Sequence, residues 1–228
     1  MSKKIIGISP RFWSNDTQEF VRVSTHYIKQ LQRDDIIPLI IVETPNLENI
    51  LLMCDAFLII GGDDINPVYY GENNDLNLSK GIHALMDEVD KQIMEHAVKY
   101  TKPVFGICRG IQSIAAFLDG KLSQDLAYDN LSHPLIEEHL HTVKKVSNFG
   151  LCQYLPDEFL VNSYHHQAVS IVPTDFEILL MNGDVIEAIE HKNLPIFGVQ
   201  WHPERYPSEE TRIIFDYFFN KIKWKKKS

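Results

Sequence analysis

Apolar positions along the chain follow two alternating rhythms. Short, mostly apolar runs at residues 5–9, 38–42, 56–60 and 104–107 have the length of strands. Between them lie segments of helical period. Residues 19–33 are one, with Phe20, Val23, Tyr27, Ile28 and Leu31 as the buried stripe; residues 47–53, 82–99 and 111–118 are others. Residues 63–80 are polar, contain Pro67, Gly71 and several Asn and Asp, and read as a loop. That stretch is too long for a mere connector, and long loops in compact domains are often functional. From residue 122 to 189 the pattern shifts to short strands and turns, followed by a last strand and a helix from Ser208. The order predicts an α/β fold: a single domain over residues 1–228 with a central, mostly parallel sheet flanked by helices, plus a β-rich segment. Chemistry in such sheets lies beyond the carboxyl ends of the strands, where Gly61, Cys108 and His202 all fall.

Two of those strand ends carry the elements of a nucleophilic site. The run Val104-Phe-Gly-Ile-Cys-Arg-Gly-Ile-Gln112 is a strand that turns sharply into a helix with a thiol at the turn. Gly106 and Gly110 bracket Cys108 because only small residues let the backbone double back so tightly. The positive end of the following helix favours a thiolate. A buried core cysteine would explain neither glycine. The second segment is Val199-Gln-Trp-His-Pro-Glu204, after another apolar run. His202 supplies the base that a cysteine nucleophile needs, and Glu204, two residues on across Pro203, a carboxylate to fix its tautomer.

The order Cys108, His202, Glu204 differs from that of the α/β-hydrolases, which run nucleophile, acid, histidine. It resembles the class I glutamine amidotransferase superfamily, with its Cys-His-Glu triad and flavodoxin-like sheet. Gly61-Gly-Asp-Asp-Ile-Asn-Pro67 and Asn162-Ser-Tyr-His-His-Gln167 look like motifs of its γ-glutamyl-γ-aminobutyrate hydrolase-like branch. The likeness runs from Ile5-Ile-Gly-Ile-Ser-Pro-Arg11 to Glu204. It implies a cysteine-dependent hydrolase that releases glutamate and an amine from a small γ-glutamyl compound, with water as co-substrate and no cofactor. Catalysis would rest on Cys108, His202 and Glu204, with backbone N–H groups at Gly62 and Arg109 as the oxyanion hole. Gly61, Asp63, Gln112, Ser163, Tyr164 and His165 would bind substrate. Synthetase-associated members commonly carry proline where Asp63 stands, which favours a stand-alone hydrolase over the alternative, a glutaminase subunit feeding ammonia to a separate synthetase. A noncatalytic ligand-binding relative is a further alternative, against which the intact triad speaks. A second departure, Leu118-Asp-Gly-Lys121 where paired glycines are usual, alters only a turn.

Composition narrows the class. At 228 residues, 44% hydrophobic and 23% charged, the chain suits one soluble domain. Three cysteines without paired spacing argue against a disulfide framework and suit the cytoplasm. Nothing at the N-terminus reads as a signal peptide, and no apolar run is long enough to span a membrane. The net charge of −9 disfavours nucleic acid as a partner. The basic tail, residues 221–228, holds five of the 22 basic residues and reads as a helix end followed by frayed residues. Oligomeric state is not legible, and a homodimer stays open. His139 and His141 alternate on an expected strand near His133, but no cysteine or carboxylate spacing completes a zinc set, so no metal is expected and a pocket rim or plain surface is. Asp87 and Asp90, three apart on the long helix, read as a solvated pair. Glu187 and Glu190 read as ordinary residues of the β-rich stretch.

Overall fold

In the computed structural model, which describes residues 3–131 and 139–222, the chain begins with strand β1 (Lys4–Ile8). A hairpin of β2 (Arg11–Ser14) and β3 (Glu19–Arg22) precedes helix α1 (Thr25–Gln30). Then come β4 (Ile36–Ile40), α2 (Leu47–Met53), β5 (Ala56–Ile59), α3 (Ala84–Tyr100), β6 (Val104–Ile107) and α4 (Arg109–Phe117). The β-rich segment contributes β7 (Lys121–Ser123), β8 (His139–Lys145), β9 (Glu158–Ser163), β10 (Ala168–Ile171), β11 (Phe176–Asn182) and β12 (Val185–His191). Strand β13 (Ile196–Val199) and helix α5 (Glu209–Lys221) close the chain.

The fold is α/β, with a large, mostly parallel central sheet flanked by helices. Nine strands form it in the order β4-β1-β5-β6-β13-β12-β11-β8-β9. The first five are parallel neighbours, and the β-rich segment extends the same sheet through antiparallel pairs. Every residue of β5, β6 and β13 is buried, as expected for parallel strands covered on both faces. Their side chains alternate between two cores. Ala56, Leu58, Phe105 and Phe197 face α1 and α5, and the Phe105 and Phe197 rings stack at 4.6 Å. Phe57, Ile59, Val104 and Ile196 face α2, α3 and α4. Pro38 is tolerated because β4 is an edge strand. Helix α5 starts at Ser208, whose Oγ accepts from the Thr211 N–H at 3.1 Å.

The helix expected over residues 19–33 is instead the second strand of a hairpin followed by a short helix. Trp13 pairs with Phe20 across the hairpin, and Asn15 Oδ1 accepts from the Thr17 and Gln18 N–H groups to close the turn. Of the predicted stripe only Tyr27 and Leu31 are fully buried, while Phe20 is exposed. Residues 63–80 form the expected loop, interrupted by a 3-10 turn at Pro67–Tyr70. His133 and most of the basic tail lie outside the described residues. No helix among the described residues is long and apolar enough to cross a membrane.

Candidate active site

Strands β5, β6 and β13 end side by side, and each delivers one part of a single cleft. Gly61 and Gly62 follow β5, Cys108 follows β6, and His202 follows β13. Cys108 has φ 55° and ψ −107°, a sparsely populated backbone conformation that a non-glycine residue adopts at a cost of about 1–3 kcal/mol. The bracketing glycines allow the turn sterically. A Cβ on Gly106 would lie 2.5 Å from the Gly110 carbonyl, and one on Gly110 would collide with the Ile59 carbonyl oxygen. Among the described residues neither the Gly62 nor the Arg109 backbone N–H has an acceptor, as is usual for the first turn of a helix in the case of Arg109.

His202 is held from several directions. Asn162 accepts from its backbone N–H at 2.9 Å and donates to its carbonyl at 3.0 Å. Its Nδ1 lies 2.7 Å from Glu204 Oε1 and 3.4 Å from the Tyr27 hydroxyl. The imidazole and Cys108 line the same cleft. Burial alone would lower the imidazole pKa. The charge of the nearby Cys108, then the bond and charge of Glu204, outweigh that and push it up to about 10. Glu204 is buried and receives a second, longer contact from Arg205 Nε at 3.4 Å. Burial pushes the Tyr27 hydroxyl well up, and the negative charges of Glu204 and Cys108 add to it, so Tyr27 stays neutral while accepting from the Gly61 N–H at 3.0 Å.

Cys108 stands between two hollows. The larger, about 550 Å³, is bordered by Arg11, Arg22, Tyr27, Gly61 and Arg205 together with His202. The smaller, about 230 Å³, is bordered by Asp64, Lys80, Gln112, His165, His166 and Gln167. Gly62, Asp63, Cys108 and Tyr164 border both. Of the residues expected at the substrate, Gly61, Asp63, Gln112, Tyr164 and His165 therefore line the cleft. Ser163 is buried at the end of β9, outside that lining. Gln112 donates to the Gln167 carbonyl at 3.1 Å, and Tyr164 meets the His202 ring edge-on at 5.5 Å.

Several residues of the site carried no assigned role in the sequence reading. Asn162, Gln200 and Arg11 stand inside the very motifs quoted, yet their targets are groups that only folding brings near. Gln200 Nε2 approaches Cys108 Sγ at 3.9 Å. Tyr27 was legible only as a core residue. Asp87 and Asp90 are not solvated: both are fully buried and ion-paired with Arg109. Burial pushes the Asp87 carboxyl up against the opposing charge of Arg109. Glu187 and Glu190 are buried as well. Glu187 lies 2.9 Å from His141 Nε2, which places His141 inside the protein, and Glu190 accepts from the Leu151 N–H, Tyr217 and Lys221. His166 ties the long loop down, its Nε2 2.9 Å from Asp64 and its Nδ1 3.3 Å from Asp125.

Comparison with known proteins gives a consistent result. The sequence model of the Peptidase C26 family matches residues 4–204. The glutamine amidotransferase-like protein YvdE of Lactococcus lactis is 30% identical over 92% of this chain and 91% of its own. The γ-glutamyl-γ-aminobutyrate hydrolase PuuD of Escherichia coli is 30% identical over 80% of this chain and 77% of its own. A solved structure of a glutamine amidotransferase from Thermotoga maritima superimposes with a TM-score of 0.58 over 97% of this chain and 84% of that one; at 15% identity the likeness concerns the fold.

Proposed function

The chain belongs to the Peptidase C26 family of glutamine amidotransferase-like proteins, and from that premise we propose that it hydrolyses the γ-glutamyl amide bond of a small γ-glutamyl compound. The observation that carries this reading is the position of His202, which lines the same cleft as Cys108 and is bonded to Glu204 at 2.7 Å. Cys108 Sγ, whose proton passes to His202, attacks the γ-carbonyl carbon, and the N–H groups of Gly62 and Arg109 receive the oxyanion. His202 gives a proton to the departing amine, leaving a γ-glutamyl thioester. Water, giving its proton to His202, then attacks the thioester and releases glutamate. Glu204 keeps the imidazole in the tautomer that faces sulfur and stabilises its cationic form. Gln112, Tyr164 and His165, on the smaller hollow, are assigned to the glutamyl group.

The test is to incubate the purified protein with a panel of γ-glutamyl amines and with free glutamine, and to measure released glutamate. Release from at least one γ-glutamyl amine, without a partner protein, is expected. Activity on glutamine alone, and only after addition of a synthetase, would assign the protein to ammonia supply instead.

A further inference from the structure

Along one wall of the cleft lies a buried group of charges that the triad does not use. Arg11 and Arg109, Asp87 and Asp90 are all buried, and the two cations balance the two anions. Asp90 bridges them: Oδ1 lies 3.3 Å from Arg11, and Oδ2 is bonded to Arg109. Asp87 takes the other arm of Arg109 at 2.5 Å and also accepts from the Asn66 N–H of the long loop at 3.2 Å. The rest of the Arg11 fork is directed at backbone. Its Nε donates to the Gly61 carbonyl at 2.8 Å, and its terminal nitrogens donate to the carbonyls of Ile60 and Pro10.

The bond to Gly61 has a geometric consequence. The Gly61 carbonyl and the Gly62 N–H belong to one planar trans peptide and point in opposite directions. A donor that fixes the carbonyl therefore fixes the direction of the N–H. Arg109 carries the other expected oxyanion donor, and its side chain is held by the same Asp90. We infer that Arg11 is a positioning residue for the oxyanion hole: by gripping the Gly61 carbonyl and Asp90 together, it sets the Gly62 N–H relative to the Arg109 N–H. The absence of a side chain at Gly62 belongs to the same device, because a Cβ there would collide with the Arg11 side chain. A lysine would keep the charge but not the fork. Buried ion pairs are weak devices for stability, and this one ends on backbone that the chemistry needs.

The inference rests on the hydrolase reading, but its test does not require a γ-glutamyl substrate. Iodoacetamide alkylates Cys108 without forming an oxyanion, whereas p-nitrophenyl acetate acylates it through one. Arg11→Lys is expected to be alkylated at Cys108 at the wild-type rate within about twofold. Its acylation is expected to be about 10- to 100-fold slower, below the ~10²–10³ for outright loss of a donor. Labelling of the buried Cys54 and Cys152 reports any unfolding. Should Arg11→Lys unfold, Arg11→Gln, which keeps an N–H donor without the charge or the fork, is read by the same two rates. Wild-type acylation in the folded variant, or equal slowing of both rates, overturns the inference. A wild-type protein that is acylated at Cys108 yet cleaves no γ-glutamyl amide overturns only the substrate assignment.

Discussion

Replacing Glu204 by glutamine isolates the electrostatic part of the proposed triad. The two side chains have the same shape, so the buried space is kept and a hydrogen bond to His202 Nδ1 is still available. What changes is charge and polarity at the 2.7 Å contact. The bond and the charge of Glu204 both help to raise His202 to about 10 against the opposing effect of burial, so the imidazole should titrate at lower pH in Glu204→Gln. Its NH₂ group can also donate to Nδ1, which stabilises the tautomer with its proton directed at sulfur. A fall in kcat of about 10²–10⁴ is expected, or ~2.7–5.4 kcal/mol of barrier at 1.36 kcal/mol per decade. KM should change far less, because Glu204 touches the base and is absent from the lining of both hollows. The assay is kcat and KM on one γ-glutamyl amide, with the His202 titration followed by NMR. Glu187 and Glu190, on the neighbouring β12, are unsuitable controls because both are buried and hydrogen-bonded. Glu209→Gln, whose side chain is 75% exposed, is the proper one. Near-normal kcat in Glu204→Gln would refute the argument and reduce the site to a Cys-His dyad.

Cys108→Ala should fold and lose hydrolysis; more than about a tenth of wild-type turnover, a loss of under ~1.4 kcal/mol, would remove the thiol from the mechanism. In the wild type, mass mapping after brief iodoacetamide treatment should find Cys108 labelled first, because burial pushes Cys54 and Cys152 up to about 11; early labelling of Cys54 would contradict the assignment. Gly110→Ala should destabilise the fold by about 1–3 kcal/mol or more, since its Cβ meets the Ile59 carbonyl oxygen, and an unchanged denaturation midpoint would show that the elbow has slack. The His166 imidazole is raised first by its bond to Asp64, against desolvation, so the stability it contributes is fully present below the unfolded value of ~6.5 and fades as pH rises through the higher folded value. Asp64→Asn should lower the His166 titration and speed amide exchange in residues 63–80; an unmoved titration would dismiss the contact.

Most of the parallel half of the sheet was legible because its strands are mostly apolar runs with turn chemistry at each end. Helix α2 and the strand-elbow-helix around Cys108 are where the pattern puts them, and α5 begins at its capping serine. The error at residues 19–33 has a simple cause. Phe20, Val23, Tyr27, Ile28 and Leu31 satisfy helical spacing, but the first two belong to a hairpin and its exit. The Asn15 side chain closes a turn that spacing does not register. The buried charges were misread for a different reason. Asp87 and Asp90 find their partner 22 and 19 residues away, and Arg11 reaches across 79 residues to Asp90. Local spacing describes an isolated helix face and says nothing about a cation delivered from another strand end.

These misread residues bear on how the site is built. The proposed triad lies within two short motifs because His202 and Glu204 share one turn after β13. An oxyanion hole has no such constraint. Its donors are backbone groups, which any residue supplies, so sequence can name positions such as Gly62 and Arg109 only by likeness to relatives. What distinguishes a working pair of N–H groups is their relative orientation, set by whatever grips the adjoining peptides. Here the Gly61 peptide is held by Arg11, and Arg109 is held by Asp87 and Asp90 from α3. The helix that looks like a bystander in the chain thus carries the carboxylates that join the two strand ends, and a substitution on α3 should reach Cys108 chemistry without touching the cleft.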